Sequence, residues 1–78
     1  MKEVPTLDLH GVTHEDAPLI TEEWVLMWDY RVNSFTGKII TGNSTKMKTI
    51  VYGVLRKHHF NFVQNWYDGS IIVNGKLK

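Results

Sequence analysis

Cysteine is missing from this 78-residue chain, so neither a disulfide nor a thiolate metal site can hold it together. Also missing is any apolar run long enough to span a bilayer. The N-terminus carries no apolar segment followed by a small-residue cleavage site, as a secretory signal would. Low-complexity tracts and internal repeats are absent too. These gaps lead to the expectation of a single soluble domain over residues 1–78 in a reducing cytoplasm, without a membrane segment. Acidic residues are scarce in one half. Residues 32–78 hold seven bases against Asp68 alone, a net of +6, whereas residues 1–31 hold seven acids against Lys2 and Arg31, a net of −5. Such asymmetry suits a polyanion footprint on the basic half. It suits equally well two solvated helix faces of opposite sign.

What is present describes an ordinary folded chain. Hydrophobic residues make up 42% and charged residues 22%, outside the range of disordered sequences. A domain this small buries only roughly 60–65% of its unfolded surface, so its core is marginal. The pattern predicts strand, helix, strand, helix, strand, strand. Leu7 and Leu9 alternate with Asp8 and His10, and Gly11 ends the strand. Thr13 is the expected cap of a first helix with Glu15 and Asp16 in its opening turn, and Pro18 falls about one turn in. Its expected apolar stripe is Ala17, Ile20, Trp24, Met27 and Trp28, ending in Arg31. Residues 33–37 read as a loop and 38–41 as a short strand closed by Gly42. The second helix starts at Ser44 or Thr45, burying Met47, Ile50, Val51, Val54, Leu55 and His58, with Tyr52 and the bases outside. Residues 60–66 and 70–74 alternate as strands around an Asp68-Gly69 turn. Alternating strands and helices imply right-handed crossovers, hence two helices on one face of a mixed sheet.

Two stretches carry chemistry. The first is Leu7-Asp8-Leu9-His10-Gly11, which puts a carboxylate and an imidazole two residues apart on one strand face. The second is Ile40-Thr41-Gly42-Asn43-Ser44-Thr45-Lys46, a strand-to-helix junction rich in small and hydroxyl residues. Helix N-terminal amides with Ser44, Thr45, Lys46 and the nearby Lys48 make a phosphate cradle; on local sequence alone simple helix capping is the favoured reading of Asn43 and Ser44, since Asn and Ser are preferred caps. The junction lacks the Gly-rich Walker pattern, which excludes nucleotide hydrolysis of that type. If the first two strands are neighbours, both stretches meet outside their carboxyl ends, where open α/β sheets bind ligands. His58 and His59 read as core or helix-end residues and His14 as a neighbour of His10. Trp24 and Trp28 read as core, and Trp66 and Tyr67 as candidates for base stacking or packing. No His/Asp/Glu set has zinc spacing. A Mg²⁺ or Mn²⁺ ion held by Asp8 and phosphate oxygens is the one cofactor left open.

Taken together, Leu-Asp-Leu-His-Gly at 7–11, Thr-His-Glu-Asp-Ala at 13–17, Ile-Thr-Gly at 40–42 and Gly69 before Ser-Ile-Ile-Val at 70–73 resemble the Smr (small MutS-related) domain. The resemblance covers about residues 6–75, and the chain reads as a free-standing member, expected to be a monomer. It implies an α/β two-layer sandwich, β-α-β-α-β-β, with two helices packed on one face of a four-stranded sheet. That is the fold of the C-terminal domain of bacterial translation initiation factor three. It also implies DNA or RNA binding, and in several members nicking or cleavage of the phosphodiester backbone. Asp8 and His10 match the polar pair that the family links to cleavage, and Thr41 and Gly42 match the start of its Thr-Gly-x-Gly loop. Ser44 stands where the second glycine is usual, and Thr45-Lys46-Met47 lacks the histidine that many members carry there. The implied function is an endonuclease, a hydrolase using Asp8 and His10, with Gly11 and the 41–46 loop plus Lys48 contacting phosphates. A noncatalytic nucleic-acid module and a protein-interaction domain are the alternatives.

Overall fold

In the computed structural model, residues 4–31, 35–65 and 69–76 are described here. They form β1 (Thr6–Asp8), α1 (Ala17–Arg31), β2 (Gly37–Ile40), α2 (Thr45–Lys57), β3 (Phe60–Gln64) and β4 (Ile71–Lys76). The result is a four-stranded mixed sheet with two helices, a compact α+β fold. The strand order is β1-β2-β4-β3. β1 and β2 are parallel neighbours, with Asp8 opposite Ile40. β4 runs antiparallel to both β2 and β3. β1, β2 and β3 therefore share one direction, and the loops that follow them leave from the same edge of the sheet.

Alternation decides which sheet residues are buried. Ile39, Ile71 and Val73 are buried, and the register sets Ile39 beside Ile71. Their neighbours Lys38, Ile40 and Ile72 are only half-buried on the opposite face. Over the buried face lie Ala17 and Val25 of α1 and Met47, Val51 and Leu55 of α2, in one cluster with Leu9, Phe35 and Phe60. The N-cap is Ser44, whose hydroxyl accepts the Met47 N–H at 3.1 Å. At its other end Lys57 and His58 both reach Glu22 of α1, at 3.5 and 2.7 Å. His58 is thus a half-buried helix-end residue rather than part of the core. His59 closes the helix in the left-handed region at φ 61°.

Four expectations need correction. The first helix opens at Ala17, because Thr13–Asp16 form a separate turn in which Thr13 accepts the N–H groups of Asp16 and Ala17. Glu15 and Asp16 accordingly lie before the helix. Pro18 falls in its first turn, where its missing N–H costs no hydrogen bond. The buried stripe of α1 is Ala17, Thr21 and Val25, and Met27 is exposed. Tyr52 is half-buried, its ring stacked on Phe62 at 5.1 Å with Arg56 above both rings. Finally, the strand at 60–66 ends at Gln64 and that at 70–74 runs over Ile71–Lys76.

The sheet edge away from the parallel strand ends is aromatic. Phe35 meets Trp24, Trp28 and Phe60, with ring centroids 6.0, 6.5 and 6.0 Å apart. Gly37 is required beneath this group, since a Cβ there would lie 2.6 Å from the Trp24 ring. Trp24 and Trp28 are therefore packing residues. Among the described residues no helix is long and apolar enough to cross a membrane.

Candidate nucleic-acid interface

The parallel pairing of β1 and β2 brings the two chemistry-bearing stretches to adjacent strand ends. The Leu9 N–H donates to the Ile40 carbonyl at 3.0 Å, extending the ladder one residue beyond β1. Immediately afterwards the chains part, one into the His10-Gly11 turn and the other into the Thr41–Ser44 loop.

Asp8 and His10 do not share a strand face as the alternation alone suggested. β1 ends at Asp8, and Val12 N–H closes a turn onto the Leu9 carbonyl at 3.0 Å, with His10 and Gly11 at its tip. Gly11 takes a positive φ of 81°. The Asp8 carboxylate turns back to accept the His10 backbone N–H through Oδ1 at 2.8 Å. One carboxylate oxygen thus fixes the turn that carries the imidazole. Both side chains are exposed. The pair is a short, hydrogen-bonded unit open to solvent, and an approaching ligand can reach each member.

The second stretch divides into residues that build the loop and residues that face outward. Thr41 is buried, and its hydroxyl donates to the Gly69 carbonyl at 3.3 Å. This ties the β2–α2 loop to the β3–β4 hairpin and removes the Thr41 hydroxyl from any surface contact. Ser44 spends its oxygen lone pair on the cap of α2 and keeps its O–H to donate. Gly42 and Asn43 form the exposed turn between them, Gly42 at φ 65°. Thr45 and Lys46 open the helix and are exposed, while Lys48 is half-buried. The cap satisfies the Met47 amide, so amides of the first turn remain for an anion.

A third loop completes this edge, and sequence reasoning did not place it there. The hairpin is closed by Asn65 N–H to the Ser70 carbonyl at 2.8 Å and by Gly69 N–H to the Asn65 carbonyl at 2.9 Å. Gly69 has φ 72°, and a Cβ on it would lie 3.2 Å from the Gly42 carbonyl oxygen and 3.7 Å from Lys48 Nζ. Lys48 Nζ therefore lies close to Gly69, where the two loops meet. The available signal was directional: a strand order that makes β3 parallel to β2 puts the end of β3 and Gly69 at the edge of the 41–44 loop. Trp66, Tyr67 and Asp68, which carry the base-stacking and hairpin readings, lie outside the described residues.

Among the described residues no three His, Asp or Glu side chains come together as a metal-binding group. The carboxylate that this edge can supply to a divalent cation, among the described residues, is Asp8. That is the donor set of an ion held mainly by water and substrate phosphate.

Comparison with protein-family models, curated proteins and solved structures finds no match to this chain. What the edge can do therefore rests on its own residues. It offers a carboxylate–imidazole unit from the β1 turn and, from the β2–α2 loop and the first turn of α2, helix-start amides, two lysines and a hydroxyl, all at one sheet edge.

Proposed function

We propose that this chain is a nucleic-acid-binding domain of the Smr type that acts as an endonuclease on the phosphodiester backbone. The observation that carries the reading is the adjacency of the Asp8–Gly11 turn and the Thr41–Lys46 junction at the ends of two parallel neighbouring strands. In this reading the backbone runs along the loop edge. One phosphate lies at the start of α2 against the Thr45 and Lys46 amides and the Ser44 hydroxyl, with Lys46 and Lys48 supplying positive charge. Asp8, already bonded to the His10 turn, orients a water whose oxygen bonds to the scissile phosphorus as the bond to the leaving sugar oxygen breaks. His10 takes the proton from that water and passes it to the leaving oxygen. Among the described residues, Asp8 is the carboxylate that would hold a Mg²⁺ or Mn²⁺ ion, which would neutralise phosphate charge when bound. The proposed setting is the cytoplasm, and the target is DNA or RNA.

A specific feature favours a second reading, binding without cleavage. Ser44 is committed to capping α2 and stands where the resembled loop has glycine, and no histidine follows it. Nicking of supercoiled plasmid and cleavage of structured RNA by wild type and Asp8→Asn, with and without chelator, decide between the two. We expect Asp8→Asn to lose at least about 100-fold in rate, the lower range for a positioned proton-transfer group. Equal background from both proteins would remove the nuclease reading. Titration across salt tests the shared premise: log affinity should fall linearly with log salt, by roughly 0.9 for each phosphate neutralised on duplex DNA. A flat response would remove both readings.

A further inference from the structure

α2 holds no acid anywhere along its length, but it carries Lys46, Lys48, Arg56 and Lys57. Lys57 pairs with Glu22 of α1. Lys48, Tyr52 and Arg56 stand four residues apart in turn, so they form one line along the helix. That line faces β3. The Phe62 ring stacks on Tyr52 with centroids 5.1 Å apart and planes 17° apart. The Tyr52 hydroxyl donates to Gln64 Oε1 at 3.2 Å, which fixes the ring from its far end.

Arg56 is the member that packing does not explain. It is exposed, and among the described residues no carboxylate pairs with it. Its guanidinium carbon sits 5.9 Å from the Tyr52 centroid and 5.8 Å from the Phe62 centroid. At that range the ring quadrupoles attract the cation. Fixing a free arginine on a ligand costs rotamer entropy; two rings already hold this one. A methylene stem alone would cover the rings, so the planar, permanently charged head is what remains for a ligand.

The position of the line says which ligand. Lys48 opens it beside Gly69 at the loop edge, and Arg56 ends it about 12 Å further along the helix axis. A strand whose phosphate lies at the start of α2 can therefore continue along a basic, acid-free surface. Aromatic rings and guanidinium planes are the surfaces on which unpaired bases stack. A base inside a duplex has both faces covered by its neighbours, so only an unpaired one can bring a face to Arg56.

We propose that Arg56, backed by Tyr52 and Phe62, is a base-stacking subsite for an unpaired nucleotide next to the phosphate bound at the start of α2. The ligand is accordingly a single strand, or a structure with a single-stranded flank. The subsite rests on the nucleic-acid reading of the loop edge and is independent of cleavage.

Fluorescence anisotropy with labelled ligands tests it. The ligands are a single strand of about 12 nucleotides, within the site sizes of single-strand binders, the same strand with abasic positions, and the matching duplex. Wild type should bind the base-bearing strand about tenfold tighter than either of the others, the size of stacking on one base. Arg56→Lys, at an exposed site, keeps the charge and loses the plane. It should weaken the base-bearing strand by about fivefold to tenfold and leave the abasic strand, the duplex and the salt slope unchanged. An abasic strand or duplex bound as tightly as the base-bearing strand would overturn the subsite and leave the loop-edge reading standing. So would Arg56→Lys equal to wild type, or a variant that weakens the abasic strand as much as the base-bearing one. Loss of salt-dependent binding to all three ligands would overturn the loop-edge reading and the subsite with it.

Discussion

The two helices lie in one layer on one sheet, yet their sequences solve different problems. α2 is sorted cleanly: Ser44 caps it, Met47, Val51, Val54 and Leu55 fill its inner face, and lysine and arginine occupy its outside. α1 buries small residues, Ala17, Thr21 and Val25, and shows leucine, methionine and tyrosine to solvent. The larger inner residues of α2 therefore supply more of the fully buried core volume. The outer faces differ as much. A basic exterior suits the polyanion proposed for the loop edge, and an apolar, acid-flanked exterior does not. The contrast teaches that the helices carry unequal shares of stability and that α2 alone suits that partner.

Stability measurements can break that comparison. Leu55→Ala should cost about 3 kcal/mol, within the range for a fully buried leucine, a large share of what so small a domain has; chemical denaturation measures it. A loss below about 1 kcal/mol would mean that α2 is not the main packing element.

Thr21 sharpens the other side. Its hydroxyl is wholly buried and, among the described residues, has no hydrogen-bond partner. Thr21→Val keeps the shape and removes an unsatisfied polar atom, so it should stabilise by about 1 kcal/mol, raising Tm by roughly 4–8 °C in a domain of this size. A lower Tm would mean that the hydroxyl is satisfied in solution.

The smallest effect concerns the link between the helices. The His58 hydrogen bond, with help from the Lys57 charge, holds the Glu22 carboxyl below its ordinary value of 4.5. A lowered folded-state value means that Glu22 stabilises the fold fully above the ordinary value and loses that contribution as pH falls through the lowered one. Wild type should exceed Glu22→Gln slightly at pH 6–7, and the gap should close in acid. A gap that persists at pH 2 would assign it to packing instead.

These residues also explain how far the sequence could be read. Element order was legible because alternation at 7–10 and 60–64 and the stripe of α2 each have one buried face. The stripe of α1 was misread at Met27 for the reason that makes the helix unusual: with apolar residues on both sides, periodicity does not say which side faces the sheet. The start of α1 was misplaced because Thr13 does cap a turn, but one that closes before the helix begins. Phe35 escaped notice as a core residue because it stands alone beyond any periodic segment. At the candidate site, the residue types of both stretches were legible, and the condition on which their meeting rested, neighbouring first and second strands, is met. That Asp8 accepts the His10 N–H is a local Asx turn, whose signal, Asp two residues before the turn at His10-Gly11, was present and passed over in favour of alternation. That Thr41 turns toward Gly69 depends on a tertiary contact, which no local pattern encodes.

The place of β4 has a consequence for assembly. Translated last of the four strands, it lies between β2 and β3. Until residues 71–76 leave the ribosome, β3 has no strand to pair with and the β1–β2 pair is without its third. The β3–β4 hairpin closes over a short loop and can form fast, whereas joining it to β2 must enclose all of α2. The nascent chain therefore keeps half-built strand edges open until synthesis of the sheet is nearly complete, the interval in which such edges invite wrong pairing.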